Sequence, residues 1–519
     1  MNLSDLTALA TLPTLTAGMA IAKGDLVESA DVSGTAMPGK ITGYAIVDAI
    51  GTSIMSATQI IGNGGEANFR PAVVQGSNSQ ANGRIYTITR TNSSSGALLT
   101  KFNSVGSLTD LVTSINLDTS DTYNSHRVFT LSNGNILAIS YNGTSNTINF
   151  GIYTPALVTV KSWTALAASA ASQYLFGACT LSGGGFAVVH QTSATPLNST
   201  LLTFDNDGTA VLAATTVFTR TGTTGAQKHA MLQLSNGNLV IAVSSSNTVS
   251  SIGLFHGVVT TAGVSVLAFT SLDTASVSIF PELEVLPGYY AVARPNGTDQ
   301  KAYVFNNAGT LQGTAFSAAT TIATEQKTKL TSDGTSFWLI WQDQVNAKSQ
   351  VTKLPTTGTG YFNNIGTYYN QYVDAFCENN TLVRCDQTGD AQAFQLTSHS
   401  TVTGIRTVIA PQNIDTAITT NGFQQRLIPG GDGTYICVYY FSDTAATKLR
   451  IGKYSNTAIV GVAAAAAAAG ALVPVIQTAG NYACNELGGA LNNSFDMSAT
   501  IVRGNKGSLS SKSVNLKGI

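Results

Sequence analysis

Histidine is the side chain best suited to metal binding and to proton transfer near neutral pH, and the chain contains five of them. None lies in a His-x-His or His-Glu-x-x-His pattern, so the sequence predicts no preformed zinc site. His126 and His229 each precede a glycine of a repeated turn by eight residues. We expect them to occupy equivalent positions in two repeats and to serve packing. A metal or ligand site near a common axis is the alternative.

One turn contains an acidic residue in a familiar setting. The stretch 332–338 reads Ser-Asp-Gly-Thr-Ser-Phe-Trp and resembles the Asp-box turn that recurs in sialidases. A sialidase site would also need an arginine cluster, a tyrosine nucleophile and an acid. The arginines available for such a cluster are Arg127, Arg294, Arg384 and Arg426, and no spacing requires them to meet. A single copy of this turn serves any hairpin equally well.

Other catalytic patterns are missing from the sequence. It has no Gly-x-Ser-x-Gly elbow and no phosphate-binding lysine loop. Asp205 and Asp207 begin a glycine turn but lack the acid that a calcium loop needs at its twelfth position. We therefore predict that the chain is not an enzyme and uses neither a cofactor nor a metal.

Aromatic residues are the best candidates for a binding surface. Trp338 and Trp341 stand three apart on one predicted strand, so their side chains point to opposite faces. Aromatic rings beside amides and hydroxyls are typical of carbohydrate sites. We predict that Trp341, Tyr290 and Tyr440 contact a glycan or a receptor, with core packing as the alternative for each.

The composition indicates a surface with few charged side chains. Charged residues make up 10% of the chain, compared with roughly 25% in ordinary soluble domains. The net charge is −1, so the sequence lacks the basic footprint of a nucleic-acid-binding protein. The hydrophobic content of 43% suffices for a packed core.

The cysteines and the chain ends place further limits on the protein. Five cysteines are an odd number at low density, so no disulfide framework is predicted. Cys377 and Cys385 flank one hairpin and can face each other there, but two small buried apolar residues are the preferred interpretation. The first residues lack the pattern of a signal peptide, and no apolar run is long enough to span a membrane. We expect synthesis in a cytoplasm without membrane insertion.

A phrase recurs seven times, about 50 residues apart, and predicts the architecture. Its clearest form, Leu-Ser-Asn-Gly-Asn followed by four apolar residues, occurs at 131–139 and 234–242. Asn-Gly is a tight hairpin turn, and a second hairpin completes each repeat. Four strands in about 50 residues are typical of one blade of a β-propeller. One hairpin, at 85–102, lacks a first half, so we predict seven blades, with eight as the alternative.

The flanking segments resemble a known module. The front reads Ala20-Ile21-Ala22-Lys23-Gly24-Asp25-Leu26-Val27, and the back reads Val460-Gly461-Val462 followed by a run of alanines and Leu-Val-Pro-Val-Ile. Together they resemble the two halves of a small β module of tailed-bacteriophage virion proteins. The resemblance implies that a propeller is inserted into this module. Two unrelated small domains are the alternative.

These observations predict an all-β protein with a seven-bladed propeller inside a barrel- or sandwich-like module formed by both termini. The predicted boundaries are 1–83 for the first half of the module, 84–456 for the propeller and 457–519 for the second half with a tail. The resemblance implies a tail fibre or capsid decoration on the virion surface. Its expected partners are other virion proteins, further copies of itself in a trimer, and a host-surface glycan or protein. A depolymerase or sialidase and a bacterial adhesin are the alternatives.

Overall fold

The computed structural model shows an all-β protein over the part of the chain that it describes. The structure describes residues 14–17, 26–29, 35–37, 52–61, 72–75, 84–90, 95–103, 111–168, 176–194, 197–220, 227–245, 253–275, 279–297, 299–319, 328–343, 348–359, 362–365, 370–378, 381–388, 394–401, 412–415, 425–429, 434–442, 447–455, 459–463 and 472–477.

These residues form 37 strands. In chain order they are β1 Thr14–Ala17, β2 Leu26–Ser29, β3 Thr35–Met37, β4 Thr52–Ile61, β5 Ala72–Gln75, β6 Arg84–Thr89, β7 Ala97–Asn103, β8 Leu111–Asp118, β9 Tyr123–Thr130, β10 Ile136–Asn142, β11 Thr147–Tyr153, β12 Thr159–Ala168, β13 Gly177–Thr180, β14 Phe186–Ala194, β15 Leu197–Phe204, β16 Ala210–Arg220, β17 Gln227–Gln233, β18 Leu239–Ser245, β19 Gly253–Val259, β20 Ser265–Asp273, β21 Glu282–Leu286, β22 Tyr289–Pro295, β23 Asp299–Asn306, β24 Phe316–Ala319, β25 Thr328–Ser332, β26 Ser336–Asp343, β27 Lys348–Pro355, β28 Phe362–Ile365, β29 Asn370–Glu378, β30 Thr381–Thr388, β31 Phe394–Ser400, β32 Gln412–Asp415, β33 Gln425–Pro429, β34 Thr434–Ser442, β35 Thr447–Ser455, β36 Ile459–Ala463 and β37 Leu472–Gln477.

The strands nearest the two chain ends form a closed barrel with the order β1-β3-β2-β36-β37. The pair β1–β3 is parallel, and the other four neighbouring pairs are antiparallel. Leu26 lies opposite Val462 and Val27 opposite Gly461. The two segments that resemble one module are therefore hydrogen-bonded neighbours. This confirms the prediction of a small barrel built from both termini.

Between the two halves of the barrel, the chain forms eight antiparallel sheets of four strands each. Blades I to VII are β5–β8, β9–β12, β13–β16, β17–β20, β21–β24, β25–β28 and β29–β32, and blade VIII combines β33, β34 and β35 with β4. The first strands of successive blades contact each other around a closed circle, from β5 to β33 and back to β5. The chain is therefore an eight-bladed β-propeller inserted in a barrel.

The structure corrects the preferred blade number from seven to eight, which was the stated alternative. The hairpin at 85–102 belongs to blade I, whose inner strand is β5. This strand has four residues, and eight residues separate it from β6. The repeated turn phrase is therefore missing from blade I, which is why counting turns yields seven.

The N-terminal boundary of the propeller also differs from the predicted one. Strand β4 pairs with β35 as the outer strand of blade VIII, and β5 opens blade I. The propeller therefore begins at Thr52 and not at residue 84. Ring closure explains the difference, because an N-terminal strand that completes the last blade removes an exposed sheet edge.

The second strand of a blade is buried on both faces. Every residue of β10 and every residue of β18 is buried. Each blade packs between two others, so both faces of its inner strands are covered by neighbouring sheets. This confirms the expected near-continuous apolar strand after each turn.

The two clearest copies of the repeated turn, at 131–135 and 234–238, have one geometry. In the turn at 131–135, the amide of Leu131 donates to the carbonyl of Asn135, and Gly134 donates back to Leu131, both at 2.8 Å. Gly134 has a φ of 84° and Gly237 one of 87°. A residue with a Cβ is strained in this region, so glycine is required at these turns.

Gly185 and Gly237 provide a matched test of this requirement. Both have positive φ, but a Cβ at Gly185 would lie 1.9 Å from the carbonyl oxygen of Phe204, whereas one at Gly237 would meet nothing within 4 Å. We expect Gly237→Ala to lower the free energy of unfolding by about 1 kcal/mol and Gly185→Ala by roughly 2–3 kcal/mol. Urea denaturation of the two variants measures the difference. Equal losses of stability in the two variants would mean that the positive φ alone, and not the contact with Phe204, sets the loss.

The cysteines in blades VII and VIII are arranged differently from the hairpin contact considered above. Cys377 lies opposite Leu382, and Cys385 lies opposite Asp374. The sulfur of Cys385 instead lies 3.6 Å from that of Cys437 in blade VIII. Both thiols are buried and form no disulfide. Cys385 therefore packs as a small apolar side chain, as the preferred interpretation has it, whereas Cys377 is half-buried beside an apolar cluster.

Candidate functional site

A blade has two different ends. In blade IV, the turn between β17 and β18 and the turn between β19 and β20 lie at one end, which we call the turn end. The inner strand begins at the opposite end, where β18 also connects to β19. We call this opposite end the loop end. The same description applies to blades I to VII, because their strand order repeats; in blade VIII the outer strand is β4, which does not follow β35 in the chain.

The turn end is held together by contacts between blades. Asn206 of blade III accepts a hydrogen bond from the amide of Gly185 at 2.7 Å and donates to the hydroxyl of Ser132 in blade II at 3.1 Å. Ser235 of blade IV accepts from the amide of Gly288 in blade V at 3.2 Å. These side chains hold adjacent blades together at the turn end.

Trp341 and Tyr290 do not form a surface. Trp341 is 2% exposed and donates its indole N–H to Thr352 at 3.0 Å. Tyr290 is fully buried, and its hydroxyl lies 3.0 Å from Nδ1 of His256. Both residues belong to the packing between blades, so their predicted role as glycan or receptor contacts is wrong. In both cases the strand face is covered by the preceding blade, and the core alternative applies.

The two tryptophans do point to opposite faces of blade VI. Trp341 packs in an apolar cluster shared with blade V, and Trp338 packs in another shared with blade VII. The alternation was therefore predicted correctly, and the groove was not. Tyr440 lies in strand β34, and its side chain lies outside the described residues.

The Asp-box-like turn has a structural role. One carboxylate oxygen of Asp333 accepts hydrogen bonds from the amides of Thr335 and Ser336, both at 2.8 Å, and the other accepts from the indole of Trp338 at 2.8 Å. Burial raises the pKa of this carboxyl, but these bonds outweigh it and hold the pKa below its ordinary value. Asp333 is thus an ionised residue fully engaged in its own turn.

His126 and His229 are buried in the inner strands of blades II and IV. Each approaches a serine hydroxyl, but not the same one: His126 lies 2.6 Å from Ser140 of its own blade, and His229 lies 2.8 Å from Ser199 of the preceding blade. A register shift in blade II, next to a positive φ of 55° at Ser125, accounts for the difference. Both histidines lie in inner strands and serve packing, as predicted, although their hydroxyl contacts differ.

The four arginines considered for a sialidase cluster lie in four blades. Arg127 and Arg426 are in the inner strands β9 and β33, and Arg294 and Arg384 are in the second strands β22 and β30. Arg127 lies 5.7 Å from the ring centre of Phe176, which is a cation–π contact.

Inner strands of blades V to VIII contain charged side chains around the axis. The ammonium of Lys329 lies 3.4 Å from a carboxylate oxygen of Glu282, and Arg426 lies 4.0 Å from Asp374. Burial raises the pKa of Glu284, which accepts a hydrogen bond from Ser332 at 3.1 Å. These pairs join neighbouring inner strands with mostly balanced charge.

The junction of blades IV and V contains a buried arginine with a complete set of partners. Arg294 is fully buried and forms a salt bridge with Asp273 of blade IV. It also donates to the hydroxyl of Ser244 at 2.7 Å and to the carbonyl of Ala275 at 3.2 Å. The protein therefore supplies a carboxylate, a hydroxyl and a carbonyl oxygen to one guanidinium.

The junction of blades III and IV contains a second buried arginine, in different surroundings. Arg220 is 5% exposed, and its guanidinium lies 5.5 Å from the ring centre of Phe255. Its Nε and Nη1 are buried, and among the described residues nothing accepts a hydrogen bond from them. Burial lowers the pKa of this group. A buried guanidinium without an acceptor is costly, so this junction stands out among those described.

More unpartnered polar atoms lie at the same junction. In the described structure, Nε2 of Gln227 and Oγ of Ser245 are buried without a hydrogen-bond partner. Gln227 is held in place because its Oε1 accepts from Ser199 at 2.9 Å and its amide donates to Gln191 at 2.9 Å. We call Arg220, Gln227 and Ser245 the junction cluster.

The strand register brings Gln227 and Ser245 together, and Arg220 reaches the same blade face through its contact with Phe255. Gln227 lies opposite Ser245, and Ser245 lies opposite Gly253, so these three positions form one row across blade IV. Opposite residues in a sheet point to the same face. Gly253 places no side chain in the row, and Phe255, over whose ring Arg220 lies, follows two residues later on the same strand. The arrangement can donate several hydrogen bonds to an oxygen-rich, negatively charged group.

No sequence pattern marks the junction cluster. Its residues are 25 positions apart from end to end and share no motif. Arg220 is the last residue of β16, Gln227 the first of β17 and Ser245 the last of β18. The one signal in the sequence that could have indicated this cluster is the position of its residues at strand ends, where Arg220 ends an outer strand.

The described residues contain no group of three or more His, Cys, Asp or Glu side chains arranged to hold a metal ion. In that same part of the chain, no helix is long and apolar enough to cross a membrane.

Known proteins resemble the chain at low sequence identity. No protein-family model matches it, and no curated protein matches it either. Among solved structures, it resembles the Dos1 propeller, with 9% identity over 78% of this chain and 95% of that one and a TM-score of 0.48. It also resembles the polysaccharide lyase Uly1, with 9% identity over 84% and 98% of the two chains and a TM-score of 0.40. The α-L-arabinanase of Penicillium chrysogenum has 11% identity over 55% and 94%, with a TM-score of 0.33. These likenesses concern the fold alone.

Proposed function

We propose that this chain is a non-enzymatic structural protein of a tailed-bacteriophage virion, either a tail fibre or a capsid decoration. In this proposal the barrel attaches the protein to other virion proteins and to further copies of itself, with a trimer favoured. The propeller is displayed on the particle surface and binds a host-surface glycan or protein. The protein would be made in the host cytoplasm.

The observation that carries the proposal is the pairing of β2 with β36. The two segments that resemble the virion module are 436 positions apart between Leu26 and Val462, yet they lie opposite each other in one closed barrel. A propeller fits such an insertion because its own ends meet at blade VIII, where β4 and β35 pair. The division of the chain into a barrel and an inserted propeller supports a structural role, in which one part attaches the protein and the other is displayed.

The attachment role is tested by breaking the barrel through its backbone. Val27 lies opposite Gly461, and proline at this position removes an N–H group from the ladder. We expect Val27→Pro to reduce the amount of this chain in purified particles by about tenfold or more. Val27→Thr retains both the N–H group and a β-branched side chain, so it should incorporate normally. Quantitative mass spectrometry of gradient-purified particles measures both variants.

Normal incorporation of Val27→Pro would mean that the barrel is not the attachment part. Absence of the wild-type chain from particles would end the virion proposal. Retention of the propeller's thermal transition in Val27→Pro shows that a loss of incorporation reflects the barrel.

The binding role is tested by competition. Purified protein is added to host cells before infectious particles, and unadsorbed particles are counted. Dose-dependent loss of adsorption is expected if the propeller occupies the receptor, and many copies per particle would add avidity. Unchanged adsorption at saturating protein would leave a decoration role without receptor binding.

A glycan-cleaving enzyme is the second candidate, and Glu284 is the observation that favours it. Burial raises the pKa of this carboxyl, although Lys329 and Ser332 act in the opposite direction. A carboxyl whose pKa is raised beside a second one, here Glu282, is typical of a general acid. Release of reducing ends from host polysaccharide by the wild type, and its loss in Glu284→Gln, would replace the binding proposal with this one.

A further inference from the structure

The unpartnered groups of the junction cluster are all suited to an anion. Arg220 contributes two buried N–H groups, Gln227 contributes the N–H bonds of its Nε2, and Ser245 contributes a hydroxyl. Arginine is a hydrogen-bond donor only, and the amide nitrogen of glutamine also only donates. A carboxylate is an acceptor with two oxygens, and its pairing with a guanidinium forms strong charge-assisted hydrogen bonds. The cluster therefore has the chemistry of a carboxylate site.

The neighbouring junction shows the same chemistry with the carboxylate supplied by the protein. Arg294 donates to Asp273, to the hydroxyl of Ser244 and to the carbonyl of Ala275. Ser244 and Ser245 are consecutive residues of β18, so their side chains point to opposite faces of blade IV. Blade IV thus places a serine on each face: Ser244 contacts Arg294 on one, and Ser245 lies on the face toward blade III, the blade that contains Arg220. Asp273 completes the arrangement on one face, and none of the described residues completes it on the other.

The position of the cluster suits a ligand that approaches the loop end. Arg220 and Ser245 are the last residues of their strands, and Gln227 and Gly253 are the first residues of theirs. All four positions therefore lie where the sheets of blades III and IV end. The glycine leaves the third place of the row without a side chain beside Phe255.

We propose that the junction cluster binds the carboxylate of an acidic saccharide, with Arg220 as the charged contact and Gln227 and Ser245 as neutral donors. This inference rests on the proposed function, because it names the ligand class of the surface-binding propeller. A saccharide is favoured over an acidic peptide because the charge at this junction is a single arginine, surrounded by neutral amides and hydroxyls. The chain as a whole has a net charge of −1, which provides no overall attraction for a multiply charged acidic peptide.

The test uses the full chain and defined probes. Oligosaccharides that contain glucuronate and oligosaccharides that contain sialate are compared with the same compounds after reduction of the carboxyl to an alcohol. Isothermal titration calorimetry measures each affinity. We expect at least one acidic probe to bind the wild type and its reduced form to bind roughly 10- to 100-fold more weakly, because a hydrogen bond to a charged group is lost.

Variants locate the site. Arg220→Met is expected to weaken the acidic probe to the level of the reduced one, and Gln227→Leu is expected to weaken it less. Arg426→Met removes the same charge from an inner strand of blade VIII, away from the junction, and should bind the acidic probe like the wild type. Arg220→Lys retains the charge but loses the forked geometry, so it should bind with intermediate affinity.

Each outcome decides the proposal. Equal affinity of Arg220→Met and the wild type would overturn it, as would equal binding of acidic and reduced probes or failure of both acidic probes to bind. Binding of free glucuronate as tightly as the oligosaccharide would show that a carboxylate alone is recognised, and would overturn the saccharide assignment. Host-cell competition by the wild type distinguishes these failures from failure of the proposed function: competition that persists in Arg220→Met keeps the binding propeller and removes this site.

Discussion

Replacement of Arg294 by methionine is expected to lower the free energy of unfolding by about 3–5 kcal/mol, the cost of removing one partner of a buried ion pair. Arg294 is fully buried between blades IV and V. Its removal leaves the carboxylate of Asp273 without its counter-ion and the hydroxyl of Ser244 without its donor. Methionine has a similar length, so the variant removes charge and hydrogen bonds while it largely retains apolar contact.

Arg220→Met is the matched control for this prediction. Arg220 is also buried between two blades, but its Nε and Nη1 have no acceptor among the described residues. Its removal leaves no carboxylate unpaired, and it relieves the desolvation of a guanidinium. We expect the free energy of unfolding to change by less than about 1 kcal/mol or to rise. The cation–π contact with Phe255 is the contribution that is lost.

Urea denaturation followed by tryptophan fluorescence measures both variants against the wild type. A third variant, Asp273→Asn, completes a double-mutant cycle with Arg294→Met. Strong coupling is expected in this cycle, because the two groups are in contact. Similar losses for Arg220→Met and Arg294→Met would show that arginine contributes through packing at both junctions, and the interpretation of Arg220 as an unpartnered charge would be wrong.

The two arginines also explain why stability and binding are expected to separate in this protein. Arg294 lowers the free energy of the folded state because its charge is matched inside the protein. Arg220 has no such compensation among the described residues, and a ligand carboxylate would supply it. Polar groups that raise the free energy of the free protein are typical of functional sites. If Arg220→Met becomes more stable and loses affinity for acidic saccharides, both changes have the same cause, which is the removal of a buried charge that only a ligand neutralises.

Much of the fold was predictable because its signals are local. An Asn-Gly turn and the apolar strand after it lie within ten residues, as at 131–139, and they recur with the period of the blades. The barrel was predictable for a different reason, since a resemblance linked two distant segments. Blade I was missed because β5 is short and eight residues separate it from β6, so no turn phrase marks it.

The candidate site was mostly unpredictable because it depends on contacts between blades. The alternation of Trp338 and Trp341 follows from strand geometry, but exposure depends on whether another sheet covers each face. In a propeller both faces of a blade are covered, so Trp341 and Tyr290 became core residues. The difference between Arg220 and Arg294 is likewise set by whether a neighbouring strand supplies an acid, which no local pattern in the sequence shows.

A second large change in the free energy of unfolding is expected when the pH falls, because three histidines are buried. Burial lowers the pKa of His126 to about 3, with Arg90 and Arg127 acting in the same direction. Burial also lowers the pKa values of His190 and His256 to about 4, although in His190 a backbone hydrogen bond with Gln191 opposes it. All three are at most 2% exposed.

These shifts make the folded protein less stable in mild acid. In the unfolded chain a histidine binds a proton near pH 6.5, whereas in the folded protein these three stay neutral down to about pH 4 or below. Between these limits the unfolded state binds more protons, so the stability present above pH 6.5 is lost as the pH falls. Each unit of difference corresponds to about 1.4 kcal/mol, so the loss between pH 7 and pH 4 amounts to several kcal/mol.

One carboxyl opposes this trend, and a histidine variant isolates the cause. Burial raises the pKa of Glu284, so its protonation in the folded state offsets part of the loss of stability as the pH falls.

Asparagine at position 126 can retain the contact that Nδ1 of His126 makes with Ser140 but cannot take up a proton. His126→Asn should therefore reduce the change in urea midpoint between pH 7 and pH 4 and leave the change between pH 7 and pH 8 unaltered. An unchanged acid slope in His126→Asn would mean that this histidine does not drive acid unfolding, and the carboxylates would have to account for it.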